Sequence, residues 1–293
     1  MIGRRREALE EAFANSPRAA ITPADLEDRD AVVHALQGVD TAIYTVGVPY
    51  TQFDQHPVLM QKALDACIAA GVRRLAVVSN VYVYGIPETT PVSETHPLAG
   101  HTFKGKMRVA QERIAFEASR SGRIRALIVR PADFYGPYAE LSYAGTLFDS
   151  ALSGKPANLL APADTPHQLS YTPDIAQTLV ELAARDDAYG EAYNIGGPTT
   201  TMRAFAEEIY TQVGAPFRAR VVNKLMLRVV GLFDPLMREM VEMHYLQAKP
   251  VILSDAKARS LLGALPETPL KTGISATLDS LRAAKVAARE EAG

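Results

Sequence analysis

The sequence lacks most of the features that would place a protein in a specialised class. It has no tryptophan and a single cysteine, Cys67, among 293 residues, which excludes an internal disulfide. The formal charge of -2 shows no excess of either sign and argues against a nucleic-acid partner. No apolar run approaches the roughly 18 residues of a membrane span, and no histidines show metal-ligand spacing. These absences predict a cytoplasmic protein with no metal site, no nucleic-acid partner and no membrane partner.

What is present is an alternation of short apolar runs with helical patterns of about a dozen residues. The clearest unit has an apolar run at Leu75–Val78, a polar helix beginning near Lys104 and a second apolar run at Ala126–Val129. Such alternation predicts an α/β fold with a parallel sheet and helices on both faces. Because ligands of open α/β sheets bind at the carboxyl ends of the strands, we expect the functional site there.

The alternation loosens beyond Pro137. Helical patterns at Lys224–Val230 and Leu270–Glu290 lie in a segment rich in Met, Arg and Leu. We therefore predict an α/β domain over residues 1–199, with residues 138–163 contributing to the substrate side. Residues 200–293 are predicted to form a smaller, mainly helical substrate-binding part.

Four motifs follow one another at informative spacing. They are Val83–Tyr84–Gly85, Arg130–Pro131 followed by Tyr135–Gly136–Pro137, Tyr171–Thr172–Pro173–Asp174, and Asn194–Ile195–Gly196–Gly197. Together they resemble the extended short-chain dehydrogenase/reductase family, in particular its NAD-dependent epimerase/dehydratase branch. The resemblance implies a Rossmann-like, doubly wound parallel sheet, a bound NAD or NADP, and a small polar carbonyl or sugar-nucleotide-like substrate.

The sequence departs from this family in three places. The opening strand and its glycine-rich turn, which approach the cofactor's pyrophosphate, are absent. Either the start site is misassigned or part of the phosphate cradle is missing; the exposed apolar edges of an incomplete sheet favour the former. The catalytic Tyr-x-x-x-Lys motif is also absent. Two pairs of residues have the spacing of that motif: Thr102 with Lys106, and Lys104 with Arg108. The second pair is preferred because Glu112 follows it as in many relatives. Asn80, preceded by Ser79, stands in place of the usual serine.

The resemblance therefore assigns catalysis to four residues, which are Lys104, Arg108, Asn80 and Ser79. A lysine can transfer protons if its pKa falls towards neutrality, and Arg108 one turn away would favour this. Asn80 can hydrogen-bond a carbonyl oxygen. The alternative is that Lys104 and Arg108 lie on a solvated helix face or hold a phosphate. Other acid/base candidates are His101 and a displaced phenol, for which the choices are Tyr50, Tyr82, Tyr84 and Tyr135.

The cofactor side is assigned in the same way. Arg4 and Arg5 follow the first strand, where arginine suits a 2′-phosphate and so favours NADP over NAD. The resemblance also implies contacts from Asp25 and Leu26 to adenine, from Val46 and Gly47 to the ribose and pyrophosphate, from Arg108 to the nicotinamide ribose, and from Pro131 and Ala132 to the nicotinamide. Asp25 could instead cap a turn, and Asp174 is expected to cap its helix.

Two functional hypotheses follow from these residues. The leading one is an NAD(P)-dependent oxidoreductase, epimerase or dehydratase. The alternative is a non-catalytic NAD(P)-binding sensor that has lost the catalytic tyrosine. The resemblance also suggests a homodimer that pairs through the helices predicted at Pro57–Ala70 and Lys104–Arg120.

Overall fold

Parallel strands and helices alternate along the first two thirds of the chain. The computed structural model describes residues 1–139 and 142–290. The strands are β1 Ile2–Gly3, β2 Thr22–Pro23, β3 Thr41–Tyr44, β4 Arg74–Val78, β5 Arg125–Pro131, β6 Asp133–Tyr135, β7 Ala157–Leu160, β8 Pro166–Tyr171, β9 Ala192–Ile195, β10 Thr199–Thr201 and β11 Ala219–Val222. The helices are α1 Arg6–Phe13, α2 Arg29–Ala35, α3 Gln55–Ala69, α4 Phe103–Arg120, α5 Tyr143–Leu152, α6 Thr172–Ala183, α7 Met202–Val213, α8 Lys224–Val230, α9 Pro235–Met243, α10 Tyr245–Ala248, α11 Ala256–Leu262 and α12 Leu270–Glu290.

The central sheet has four parallel strands in the order β3-β4-β5-β9. Its middle pair is in register, with Val77 of β4 opposite Ile128 of β5. Strands β1 and β2 form a separate parallel pair. The prediction of a Rossmann-like α/β fold with parallel strands is confirmed.

Alternating side chains bury the two faces of this sheet in different cores. Leu75 and Val77 pack in one core with residues of α3 and α4, whereas Ala76 packs in another core with Leu179 and Leu182 of α6. Successive side chains of a strand point to opposite faces, so an uninterrupted apolar strand requires helices on both. Helices α3 and α4 pack side by side within one chain, and the homodimer through them stays a prediction.

Helix α4 carries the candidate catalytic residues, and its start is fixed by a cap. The hydroxyl of Thr102 accepts a hydrogen bond from the backbone N–H of Gly105 at 3.0 Å, which satisfies one of the free donors of the first turn. Thr102 is thus engaged as an N-cap. The helix ends before Gly122, which has a positive φ of 70° that suits glycine.

The second half of the molecule adds two small sheets around a further core. Strand β8 lies between β6 and antiparallel β10, and β11 pairs in parallel with β7. The predicted boundary at 199/200 falls inside β10. Strand β11, within the part predicted to be mainly helical, extends the segment 138–163 by pairing with β7. Helices α5, α7 and α12 bury their apolar faces against these sheets.

A groove separates the β1–β2 pair from the central sheet. Among the described strands, β1 pairs only with β2, and β3 pairs only with β4, so each leaves one edge unpaired. The groove has a volume of about 840 Å³ and is lined by residues of both sheets, including Ile2, Gly3, Ala42 and Ile43. None of the described helices is long and apolar enough to cross a membrane.

Candidate functional site

The sequence folds into a tight turn where β4 ends. The chain leaves β4 at Val78, passes Ser79 and Asn80, and forms a 3-10 turn over Val81–Tyr84. The side-chain oxygen of Asn80 accepts a hydrogen bond from the backbone N–H of Tyr82 at 3.1 Å and so caps this turn. The hydroxyl of Ser79 is buried without a hydrogen-bond partner among the described residues.

Two phenols meet beside this turn. The hydroxyl groups of Tyr82 and Tyr50 lie 2.8 Å apart, and Tyr50 belongs to a short 3-10 turn in the loop between β3 and α3. Burial raises the pKa of Tyr82 well above its ordinary value, and the neighbouring Tyr50 raises it further. Both phenols are therefore protonated at neutral pH, and one donates its hydrogen to the other.

Arg108 of α4 brings a positive charge to the same place. Its guanidinium carbon lies 5.4 Å from the centre of the Phe53 ring, and Nη1 donates to the side-chain oxygen of Gln111 at 2.9 Å. Its Nε is buried without a partner among the described residues. The charge of Arg108 opposes the effect of burial on the pKa of both Tyr50 and Tyr82.

Lys104 is fully buried, so a solvated helix face is wrong for this residue. Its Nζ pairs with the carboxylates of Glu239 and Glu242 on α9, and the second distance is 2.8 Å. The backbone N–H of Lys104 also donates to Glu242 at 3.0 Å. Although burial alone would raise it, these hydrogen bonds hold the pKa of Glu242 below its ordinary value. The ammonium thus joins α4 to the C-terminal part.

A second polar pair extends the site towards the C-terminal part. Nε2 of His167 in β8 lies 3.9 Å from the carboxylate of Asp133 in β6. His167 is buried, and neither of its ring nitrogens has a hydrogen-bond partner among the described residues. Burial raises the pKa of Asp133, and His167 opposes that rise. Unsatisfied polar groups in a buried site are available to a ligand.

The residues predicted for the adenosine side lie on the groove between the sheets. Arg4, Asp25, Leu26, Val46 and Gly47 all line it. Asp25 also makes the turn that was its alternative role, because its Oδ1 accepts from the backbone N–H of Glu27 at 3.0 Å.

The remaining predicted residues lie outside the lining of this groove. Arg5 is exposed at the N-cap position of α1 and makes no side-chain capping bond. Pro131 ends β5, and the backbone N–H of Ala132 donates to the carbonyl of Ile195 at 3.0 Å. The catalytic and cofactor roles of all these residues stay predictions.

The alternative acid/base candidates are separated by the structure. His101 is exposed and stacks edge-on against Tyr245, with ring centres 4.7 Å apart. Tyr135 is buried against Tyr171 and Phe205. Tyr84 belongs to a buried hydrogen-bond network with Arg130 and Asn194. Of the four phenols, Tyr50 and Tyr82 are hydrogen-bonded to each other, and both are electrostatically coupled to Arg108.

Sequence reasoning missed three features of the site. The pairing of Tyr82 with Tyr50, the two carboxylates of α9 and the Asp133–His167 pair all join residues far apart in the chain. Glu239 and Glu242 are three residues apart on one predicted helix, which places them on one face. That spacing was the available signal. The described residues contain no cluster of histidine, cysteine, aspartate or glutamate that could hold a metal ion.

Comparison with known proteins now identifies the class. The model of the NAD dependent epimerase/dehydratase family matches residues 2–196, so the chain belongs to that family, and the resemblance is confirmed. Among curated relatives, a 3beta-hydroxysteroid-dehydrogenase/decarboxylase (isoform 2) of Arabidopsis thaliana is 24% identical over 90% of this chain and 52% of its own length. A 2'-dehydrokanamycin reductase of Streptomyces kanamyceticus is 31% identical over 53% of this chain and 45% of its own. The chain spans about half the length of these curated relatives.

Solved structures share the fold. A dTDP-glucose 4,6-dehydratase from Streptomyces venezuelae with NAD bound matches with a TM-score of 0.78 over 94% of this chain and 83% of its own, at 20% identity. An epimerase from Methanothermobacter thermautotrophicus matches with the same TM-score at 18% identity over 94% of this chain and 83% of its own. At such low identity these likenesses establish the fold alone.

The family name implies a nicotinamide dinucleotide, and the residues present fit its two ends. At one end, the buried Nε of Arg108 and hydroxyl of Ser79 have no partners among the described residues. At the other, the groove is open beside Gly47, where an added Cβ would meet no atom within 4 Å. The described residues provide no strand between β1 and β3 to carry a glycine-rich turn. The described residues therefore fit the two nucleoside ends of the dinucleotide, but they provide no glycine-rich turn for its pyrophosphate.

Proposed function

We propose that this protein is an NAD(P)-dependent oxidoreductase that acts on a small polar carbonyl compound or a sugar-nucleotide-like substrate. The observation that carries the proposal is half-buried Arg108, whose buried Nε has no partner among the described residues, together with its electrostatic coupling to the hydroxyl pair of Tyr50 and Tyr82. A cation and a phenol at the carboxyl edge of a parallel sheet are the elements that proton transfer at a carbonyl oxygen requires.

Binding is the first role of these residues. Arg108 occupies the helix position of the family's lysine, and its free donor suits a ribose hydroxyl. Arg4, Asp25 and Leu26 would hold the adenosine end in the groove that they line. An arginine beside that end favours the 2′-phosphate of NADP.

Proton transfer is the second role. A bound nicotinamide would supply or accept the hydride. In the reductive direction, the Tyr82 hydroxyl gives its proton to the oxygen of the substrate and the Tyr82 O–H bond breaks. The proton of the Tyr50 hydroxyl then passes to the Tyr82 phenolate, and a proton from solvent restores Tyr50. Arg108 stabilises the phenolate between these two events, because its positive charge favours the ionised form. Asn80, which caps the turn, positions Tyr82.

Lys104 takes a different part in this proposal. Its ammonium is already held by two carboxylates, so it positions α9 over the site and leaves the proton transfer to Tyr82. Ser79 has a free buried hydroxyl that can hydrogen-bond the carbonyl oxygen of the substrate.

A polar substrate is supported by Asp133 and His167. The carboxylate of Asp133 remains about one third exposed, while His167 is buried with two free ring nitrogens. Substrate hydroxyls would satisfy both groups, whereas an apolar substrate would leave them unpaired at a cost.

Cofactor titration tests this proposal. The fluorescence of NADH and NADPH can be followed directly, because the reduced nicotinamide ring is itself fluorescent. We expect wild-type protein to bind NADPH more tightly than NADH. Arg108→Gln should weaken binding by at least about tenfold, the effect of losing a hydrogen bond from a charged group. Arg113→Gln is the matched control, since Arg113 is exposed on the same helix, and it should bind as wild type does.

Two outcomes would contradict the proposal. If the protein binds neither dinucleotide, the proposal of an NAD(P) cofactor is wrong. If Arg108→Gln binds as tightly as wild type, the cofactor does not contact Arg108 at this edge of the sheet. Where binding is normal, oxidation of NADPH is measured across a panel of carbonyl compounds and sugar nucleotides. Tight binding with no turnover on any of them would favour the non-catalytic sensor.

A further inference from the structure

Helix α8 and the turn that follows it leave an unusual amount of apolar surface uncovered. Of the seven residues of α8, only Leu227 is buried. The largest exposed fractions in this region are 68% for Leu225, 78% for Leu232 and 89% for Phe233. Met226, Val229 and Val230 are also exposed. We call these six residues the apolar tip. Single exposed apolar residues are ordinary, but a contiguous group on one short hairpin indicates an interaction site.

Basic residues flank the apolar tip along the chain. Lys224 and Arg228 lie on α8, Arg220 lies on β11 and Arg218 directly precedes β11, and all four are exposed. None of these four cations forms an ion pair with a carboxylate in the described part of the chain. Other exposed arginines do form such pairs, as Arg185 does with Asp187. The cations around the tip are therefore available to an external partner.

The tip is also held on a firm base. Helix α8 packs against α9, and α9 is joined to α4 by the two ion pairs of Lys104. A partner that contacts the tip would thus meet a preformed surface and would not have to order it first.

We propose that the apolar tip docks onto the surface of a membrane that contains anionic lipids. Leu225, Leu232 and Phe233 would enter the boundary between headgroups and acyl chains, and the four cations would contact lipid phosphates. Exposed apolar residues flanked by unpaired cations are the pattern of an interfacial membrane anchor. Docking of this kind needs no membrane span. It departs from the sequence-based expectation of no membrane partner, which rested on the lack of a long apolar run.

Charge decides between a membrane and a second copy of the chain. A self-complementary dimer through the tip would bring the four cations of each copy near those of the other, which is unfavourable. An anionic bilayer instead attracts every one of them, by about fivefold in affinity per cation.

Vesicle flotation of the full chain tests this inference. Protein is mixed with vesicles of phosphatidylcholine alone, or of phosphatidylcholine with phosphatidylglycerol, at low and high salt. We expect binding to the anionic vesicles only, and release by salt. Leu232→Asp with Phe233→Asp should lower binding at least about tenfold. Lys224→Glu with Arg228→Glu should do the same through charge.

The control variant is Val180→Asp, because Val180 is 56% exposed on α6 and outside the tip. It should float as wild type does, and the thermal melting of all variants should match so that misfolding is excluded. Three results would overturn the inference: no binding to anionic vesicles, equal binding by the Leu232/Phe233 double variant, or light scattering that shows a dimer which this double variant dissociates. The last result would assign the tip to a protein interface.

Discussion

Two arginines, Arg130 and Arg108, approach the same end of the sheet, and their surroundings differ. Arg130 at the end of β5 donates from Nε to Glu112 at 3.0 Å and from Nη2 to the same carboxylate at 2.6 Å. Its Nη1 donates to the hydroxyl of Tyr84 at 2.9 Å. Arg108 has a neutral partner at Nη1 and none at Nε among the described residues. A hydrogen-bond network in which every donor has a partner, like that of Arg130, stabilises the fold. A network with an unpaired donor, like that of Arg108, leaves that donor available to a ligand.

The network of Arg130 also explains why the family motifs could be recognised. Tyr84 donates onward to the side chain of Asn194 at 2.6 Å, and the amide of Asn194 donates to the carbonyl of Val92 at 3.0 Å. Tyr84, Arg130 and Asn194 each belong to a motif on which the resemblance rested. Those motifs therefore belong to the hydrogen-bond network that joins α4, β5 and β9, and the proposed chemistry depends on residues beside them.

The largest effect should come from opening the network of Arg130. Glu112→Ala leaves the buried Arg130 without its counter-ion, which costs about 3–5 kcal/mol of stability. Urea unfolding followed by circular dichroism measures the loss. Arg108→Gln is the comparison, and it should cost less than about 1 kcal/mol because Arg108 has no carboxylate partner. Equal losses of stability for the two variants would show that the surroundings of Arg130 stabilise the fold no more than those of Arg108 do.

Substitutions of Tyr82 and Tyr84, both in the 3-10 turn, should have different effects, one on the reaction rate and the other on stability. Tyr82→Phe should lower the rate constant kcat by about a hundredfold, the usual contribution of a general acid, with little change in KM or stability. Tyr84→Phe should instead destabilise by about 1–3 kcal/mol, since Arg130 and Asn194 lose a buried partner, and should keep kcat per folded molecule. Steady-state kinetics and urea unfolding on both variants provide the test. A reversed pattern would place the chemistry at Tyr84.

Lys104 should lie between these extremes in stability. Lys104→Met removes the cation between Glu239 and Glu242, whose side chains are only 23% and 24% exposed. Water can reach the carboxylates in part, so the expected cost is about 1–2 kcal/mol, below that of a fully buried pair. Hydrogen exchange of α9 should also increase. Lys106→Met, an exposed position on the same helix, is the control and should change neither. No loss on Lys104→Met would mean that the ion pairs contribute nothing.

Local sequence patterns predicted the elements better than the partners. The bounds of α8 and α12 match the predicted helices, Lys224–Val230 and Leu270–Glu290, because periodic apolar residues and turn residues are local signals. The alternative that Lys104 lies on a solvated helix face was wrong. Its carboxylate partners Glu239 and Glu242 are 135 and 138 residues away in the chain, so no local pattern could indicate them. The expectation that Asp174 caps its helix was wrong: its carboxylate binds Thr268, 94 residues on.

The same distinction limits what could be predicted of the site. The proposed position of the site at the strand ends, and the proposed place of Arg108 within it, follow from the order of strands and from helix spacing. Whether a buried donor is satisfied depends on side chains that tertiary packing brings together, such as Tyr50 with Tyr82. A single sequence contains no record of that pairing, so Tyr50 and Tyr82 remained two of four candidate phenols.

The smallest predicted effect concerns acid and Glu242. Lys104 holds the pKa of this carboxyl below its ordinary value of 4.5 in the folded protein. A depressed folded-state pKa stabilises the protein above the unfolded pKa, and the contribution is lost as pH falls through the folded value. The stability difference between wild type and Lys104→Met should therefore be constant above pH 4.5 and shrink as the pH falls below that value. Other acid-sensitive pairs, such as Asp164 with Arg203, are present in both proteins and cancel in the difference. Urea unfolding across this range measures it, and a difference that stays constant into acid would mean that Lys104 does not bias the ionisation of Glu242.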